Sequence, residues 1–69
     1  MDTSFKLDGE YIELVKLLKA LGWADTGGQA KVIIDSGMVM VDDRAENRKR
    51  GKIRRGQVVS YDGNRTTIV

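Results

Sequence analysis

The chain lacks cysteine and histidine altogether. Without thiolate or imidazole it has no disulfide, no thiol chemistry and none of the zinc sites built on sulfur or ring nitrogen. The missing cysteine also fits a reducing compartment. Proline is absent as well, and no repeat or low-complexity stretch marks a linker. No apolar run approaches the ~20 residues that span a bilayer. The opening MDTSFKLDGE has neither the basic start nor the apolar stretch of a signal peptide. The expectation is a soluble, cytoplasmic protein without a membrane partner.

The 69 residues read as one domain over 1–69, near the lower end of what folds alone. Such a chain buries roughly 60% of its unfolded surface and holds a net stability of roughly 3–5 kcal/mol. Catalysis is poorly provided for. Ser4, Ser36 and Ser60 have no imidazole to act as base. Asp42 and Asp43 are two carboxylates that can hold Mg²⁺, but adjacent acids at a strand end are first a turn signal. The expectation is therefore no catalytic residue, no metal, no cofactor and no small-molecule substrate.

What is present is charge, unevenly spread. The net charge is +2. Residues 1–43 carry four basic and eight acidic side chains, a net of −4, and residues 44–69 carry eight basic and two acidic, a net of +6. Such asymmetry speaks of partners more than of the fold.

Apolar periodicity predicts a first helix, with Tyr11, Leu14, Val15, Leu18 and Leu21 on one face and Leu17 beside them. Asp8 is its expected cap, Glu10 and Glu13 its first turn, and Lys16 and Lys19 its basic end. Gly22 reads as a left-handed stop after which Trp23 folds back on Leu18. Thr26-Gly27-Gly28-Gln29 reads as a capping box opening a second helix, with Ala30, Ile33 and Ile34 as its apolar stripe and Gly37 as its end. Met38 to Val41 is a short strand, Asp42-Asp43 a turn, and Val58 to Tyr61 a strand. Asp62-Gly63-Asn64 is a hairpin turn and Thr66 to Val69 its return. Residues 1–9 form an N-terminal extension whose weak alternation over Thr3 to Leu7 suggests an edge strand. Two helices followed by a small, mostly antiparallel β portion make an α+β fold.

The stretch NRKRGKIRRG, Asn47 to Gly56, sets Arg48, Lys49, Arg50, Lys52, Arg54 and Arg55 within ten positions, with no acid among them. Like charges oppose compaction, so two readings stand: a solvated loop, or a surface held to meet a polyanion. Ile53 favours the second. An isoleucine in the core tethers the segment while its neighbours stay outside, and tethered residues lose less freedom on binding. The start of the second helix is a second anion-binding feature. Its free N–H groups carry partial positive charge, Gly27 and Gly28 do not screen them, and Lys31 lies one turn on. By itself this feature is equally well read as glycines permitting a close turn.

The polyanion is narrowed by what is missing. No helix opens with base-reading Arg or Asn, as DNA readers do. Residues 44–57 supply no apolar anchor for a membrane. Single-strand readers stack bases on aromatics, whereas Phe5, Tyr11, Trp23 and Tyr61 all lie outside the basic stretch. Structured RNA, bound through phosphates and shape, suits this inventory best. The runner-up is an adaptor that docks its basic face on an acidic protein.

From Tyr11 to Tyr61 the segments LVKLLKALGWA, TGGQAKVIIDSGMVMVDD and KIRRGQVVSY follow one another in an order and spacing that resemble the RNA-binding domain first described in small-subunit ribosomal protein four, the "S-four" domain. The small size and the segments TGGQAK and RKRGKIRRGQ look like the bacterial YbcJ-type proteins of that group. The resemblance implies an αL motif that holds a structured, often ribosomal, RNA, and the expectation for this chain is a monomeric RNA-binding module. Carried over by position, the RNA-binding residues it implies are Thr26, Gly27, Gly28, Gln29 and Lys31, with Arg44, Arg48, Lys49, Arg50, Lys52, Arg54 and Arg55. The chain departs from the family pattern in three places. Glu10, Tyr11 and Ile12 stand where many relatives have Arg-Leu-Asp. Gly27 and Gly28 replace an Arg or Ser, and Asp43 replaces a turn glycine, which implies a positive φ there.

Overall fold

The computed structural model describes residues 2–69, so the first residue of the expected 1–9 extension lies outside it. The elements are β1 (Asp2–Phe5), β2 (Ile12–Glu13), α1 (Leu14–Ala20), α2 (Gly27–Asp35), β3 (Met40–Val41), β4 (Arg44–Ala45), β5 (Lys52–Ile53), β6 (Val58–Tyr61) and β7 (Asn64–Ile68). Five strands form one sheet in the order β1-β7-β6-β3-β4, and β2 pairs with β5 in a separate ribbon. Within the sheet every pairing is antiparallel except β1 with β7, which run parallel from Asp2↔Arg65 to Phe5↔Ile68. The expected edge strand thus exists, beginning one residue before Thr3 and ending at Phe5.

The helices carry one side of the core and the sheet the other. Leu14, Leu17 and Leu18 of α1 and Ala30, Ile33 and Ile34 of α2 meet Val39, Val41, Val59 and Ile68, all buried in one cluster with Leu7, Ala24 and Ile53. Trp23 and Tyr61 flank that cluster with ring centroids 6.4 Å apart. One polar group is trapped inside it. Thr66, paired across the strands with Val59, is fully buried, and its Oγ1 has no hydrogen-bond partner among the described residues.

Local signals fared well at the helix ends. Gly22 takes a φ of +78°. Its N–H donates to Lys19 O, and the N–H of Trp23 donates to Leu18 O at 3.0 Å, the two bonds of a Schellman ending. Thr26 caps α2, accepting from the Gln29 N–H at 3.0 Å, while Gln29 Oε1 reaches back to the Asp25 N–H at 2.7 Å, one residue earlier than a standard capping box. Asp42 and Asp43 both adopt positive φ, 52° and 67°, and join β3 to β4. Asp42 tolerates this because its carboxylate accepts from the Val58 N–H at 3.0 Å and from Gln57 Nε2 at 3.4 Å.

The start of α1 differs from expectation. The helix begins at Leu14, capped at Glu13 by extended backbone without a side-chain bond. Asp8 is not its cap, Glu10 and Glu13 precede its first turn, and Tyr11 lies outside the helix. The competing force is long-range pairing: Ile12 and Glu13 are drawn into a ladder with Ile53 and Lys52. The second strand is likewise shorter than expected, because Met38 stays exposed and β3 holds only Met40 and Val41. The return strand starts earlier, at Asn64.

Candidate nucleic-acid interface

The basic stretch is held from behind at three points. Ile53 is 2% exposed, within the core cluster. β5 pairs with β2 through Ile12↔Ile53 and Glu13↔Lys52. The loop before β5 then supplies what the start of α1 needs. The first N–H groups of a helix have no partner inside it, and here Leu14 N–H donates to Gly51 O and Val15 N–H to Lys49 O, each at 3.0 Å. Gly51 sits where the loop folds tightest, and a side chain there would need its neighbours to give way. A Cβ there would lie 3.2 Å from Arg48 O and 3.3 Å from Glu46 Oε1.

Glu46, just before the cluster, takes one cation out of circulation. Its carboxylate accepts from Arg48 Nε and the Arg48 backbone N–H, both at 3.2 Å, and from Arg48 Nη2 at 3.0 Å. The Arg48 side chain holds the Glu46 carboxyl below the 4.5 of an ordinary glutamate, chiefly by this hydrogen bonding, and Glu46 in turn raises Arg48. The pair fixes the fold of the loop, and Arg48 carries little uncompensated charge outward.

The other cations fall on two faces that Arg50 bridges, since it also lines a shallow concavity with Arg48, Gly51 and Lys52. Lys49 and Arg50 turn toward the helices, where with Lys16 and Lys19 of α1 and Gly27 and Lys31 of α2 they line a hollow of about 540 Å³. Val15 and Glu13 complete its wall. Lys16 is paired with Glu13 at 3.7 Å and Lys49 with Asp35 at 3.1 Å, leaving Lys19, Lys31 and Arg50 without an ion-pair partner among the described residues. The start of α2 opens on the same hollow. Thr26 accepts from the N–H groups of Gln29 and Ala30, so the N–H groups of Gly27 and Gly28 remain for an anion. Thr26 and Gln29 are thus occupied in holding the helix start.

Strand alternation sends the rest elsewhere. With Ile12 and Ile53 facing the core, successive residues face outward, and extending the register by one sets Arg54 opposite Tyr11. The Tyr11 ring has Lys52 Nζ 4.9 Å and Arg54 Cζ 5.7 Å from its centroid, both within cation–π range. Arg55 donates from Nη2 to Leu7 O at 2.8 Å. Arg44 lines a different concavity with Asp42, Glu46 and Gln57.

Sequence reasoning missed three residues of this surface. Lys16 and Lys19 were read only as the basic end of a helix, although their i, i+3 spacing already put them on one face. Tyr11 was read as core. Only the pairing of β2 with β5 reveals it as an outward aromatic among cations, and no local pattern carries that information.

Comparison with known proteins settles the family. The model of the S4 domain matches residues 5–69. The chain belongs to the S4 domain family. Among S4 relatives it is 48% identical over 59 residues to YbcJ of Escherichia coli (strain K12), covering 86% of this chain and 84% of that protein. The same identity and coverage hold for YbcJ of Shigella flexneri. The solution structure of Escherichia coli YbcJ superposes with a TM-score of 0.73 at 45% identity, over 96% of this chain and 85% of that one. That structure is described as revealing an αL motif involved in RNA-binding. Two packed helices with a largely antiparallel sheet give this S4 chain the same α+β architecture.

Proposed function

We propose that residues 1–69 act as one RNA-binding module that grips structured RNA by its phosphates. The observation that carries this reading is the hollow in which Lys16, Lys19, Lys31, Lys49 and Arg50 surround the open start of α2. An A-form helix displays its backbone and hides its base faces, so a site rich in cations and backbone N–H groups suits it. Membership of the S4 family and the likeness to YbcJ support the same reading. Gly27, Gly28, Lys31, Lys49 and Arg50 are the contact residues, with Lys16 and Lys19 added. Thr26, Gln29 and Arg48 hold the frame, and Lys52 and Arg54 extend the surface along the ribbon. Arg44 and Arg55 serve at its margin. The module works as a monomer in the cytoplasm, ribosomal RNA is the first target to test, and its role is binding without catalysis. Among the described residues no helix is long and apolar enough to cross a membrane.

The test is crosslinking in cells followed by sequencing of the attached RNA, with parallel pulldowns before and after ribonuclease. Enrichment of structured RNA, and loss of partners on digestion, is the expected result. Partners that survive digestion, with no RNA crosslinked, would overturn the reading in favour of an adaptor for an acidic protein.

A further inference from the structure

We propose that Tyr11 is a stacking site for one unpaired nucleobase, flanked by Lys52 and Arg54 as partners of the adjoining phosphates. This rests on the RNA-binding reading above and narrows the class of RNA: a stem interrupted by a bulge, or ending in a loop, in place of uniform duplex. Tyr11 is 43% exposed, whereas Phe5, Trp23 and Tyr61 pack against the core. A domain with four aromatics thus turns one of them outward, and does so beside two cations, Lys52 and Arg54. The position is fixed by the fold. Ile53, buried in the core, and Ile12, partly buried against it, pair on the inner face of the ribbon, which leaves the outer face to Tyr11, Glu13, Lys52 and Arg54.

The chemistry of that face suits a single nucleotide. Every base has a π-face that stacks on an aromatic ring, and stacking is tolerant of base identity. The two cations near the ring are held by cation–π attraction. A base that takes a ring face displaces the cation there, and the displaced group stays close enough to meet the phosphate of the same nucleotide. A paired base cannot reach the ring, because stacking within an A-form stem covers it. The site also adjoins the phosphate hollow: Glu13, the register partner of Lys52, lines that hollow. A stem seated in the hollow therefore presents a neighbouring unpaired nucleotide to Tyr11.

The experiment uses the full chain and two RNA hairpins of one stem sequence, each closed by a base-free polyethylene glycol linker, fully paired or carrying a single bulged 2-aminopurine. Binding of the bulged hairpin is expected to quench the 2-aminopurine fluorescence several-fold. Tyr11→Phe should keep that quench. Tyr11→Leu and Tyr11→Ala should abolish it and weaken the bulged hairpin about 5- to 150-fold, the range for one lost base stack, while the paired hairpin changes less than about twofold. Two results overturn the inference and leave RNA binding intact: saturation of the bulged hairpin without quenching, or equal weakening of both hairpins by Tyr11→Leu, which makes the ring a seat for cations only. Failure of wild-type protein to bind either hairpin removes the RNA-binding reading itself, and this inference with it.

Discussion

Neutralising the hollow should weaken RNA binding by an amount that its geometry fixes. Five cations line it, two of them compensated by Glu13 and Asp35. Between three and five phosphates are then neutralised, and log affinity against log salt should fall with a slope of roughly −3 to −4.5 for a duplex. Lys31→Gln with Arg50→Gln removes two uncompensated charges. The slope should become shallower by about 1.8, and at ~0.1 M salt each lost contact costs about eightfold, on the order of 60-fold for the pair. Both side chains are exposed, so stability should stay within about 0.5 kcal/mol of wild type. Fluorescence anisotropy with a labelled RNA hairpin between 50 and 300 mM salt (about a Debye length of 14 down to 6 Å) reads both quantities. Arg65→Gln, on β7 outside the hollow, is the matched control. An unchanged slope in the double variant, or an equal fall with Arg65→Gln, would refute the assignment of the hollow.

Three further outcomes follow from the fold. Ile53→Ala should cost about 2–5 kcal/mol, comparable with the whole stability of a domain this small, so chemical denaturation should find it largely unfolded, with RNA affinity lost alongside. Thr66→Val replaces a buried, unpartnered hydroxyl by a methyl of like shape and should stabilise by about 1 kcal/mol, a rise of about 4–8 °C in a thermal melt; a lower melting temperature would mean the hydroxyl has a partner. Glu46 has its folded-state pKa depressed by Arg48, so its contribution is present above the ordinary value of 4.5 and fades as pH drops through the lower folded one. The stability gap between wild type and Glu46→Gln, measured in urea, should be full at pH 6 and close below pH 4.5.

Much of this was legible because it is local. The Gly22–Trp23 ending and the Thr26 cap are each decided by neighbours a few residues apart, and the Asp42-Asp43 turn is announced by its two adjacent acids, although Gln57 and Val58 complete it. Ile53 was legible for another reason: one apolar side chain among six cations has few places to go but inward. What stayed hidden depends on residues forty positions apart. The helical period running back to Tyr11 is real in the sequence, yet pairing of Ile12 with Ile53 outcompetes it. The division of the cations followed from the same ladder, since alternation sends Lys52 and Arg54 outward beside Tyr11 while the preceding bend carries Lys49 and Arg50 to the helices. The neutralisation of Arg48 by Glu46 was available at two residues' distance. Glu46 lies just outside the run of cations that begins after Asn47, so the run by itself does not show the pair.

The carbonyls that meet the start of α1 carry a consequence for how the molecule comes together. Seven residues make a helix too short to persist alone in water, and the groups that complete its first turn come from Lys49 and Gly51, late in the chain. The leucines of α1 and the cation-bearing loop must therefore become ordered in the same step. A half-collapsed chain carries every positive charge of the finished one and can cling to any polyanion, but it has no hollow and no outward ring; discrimination among RNAs arrives only with the last closure.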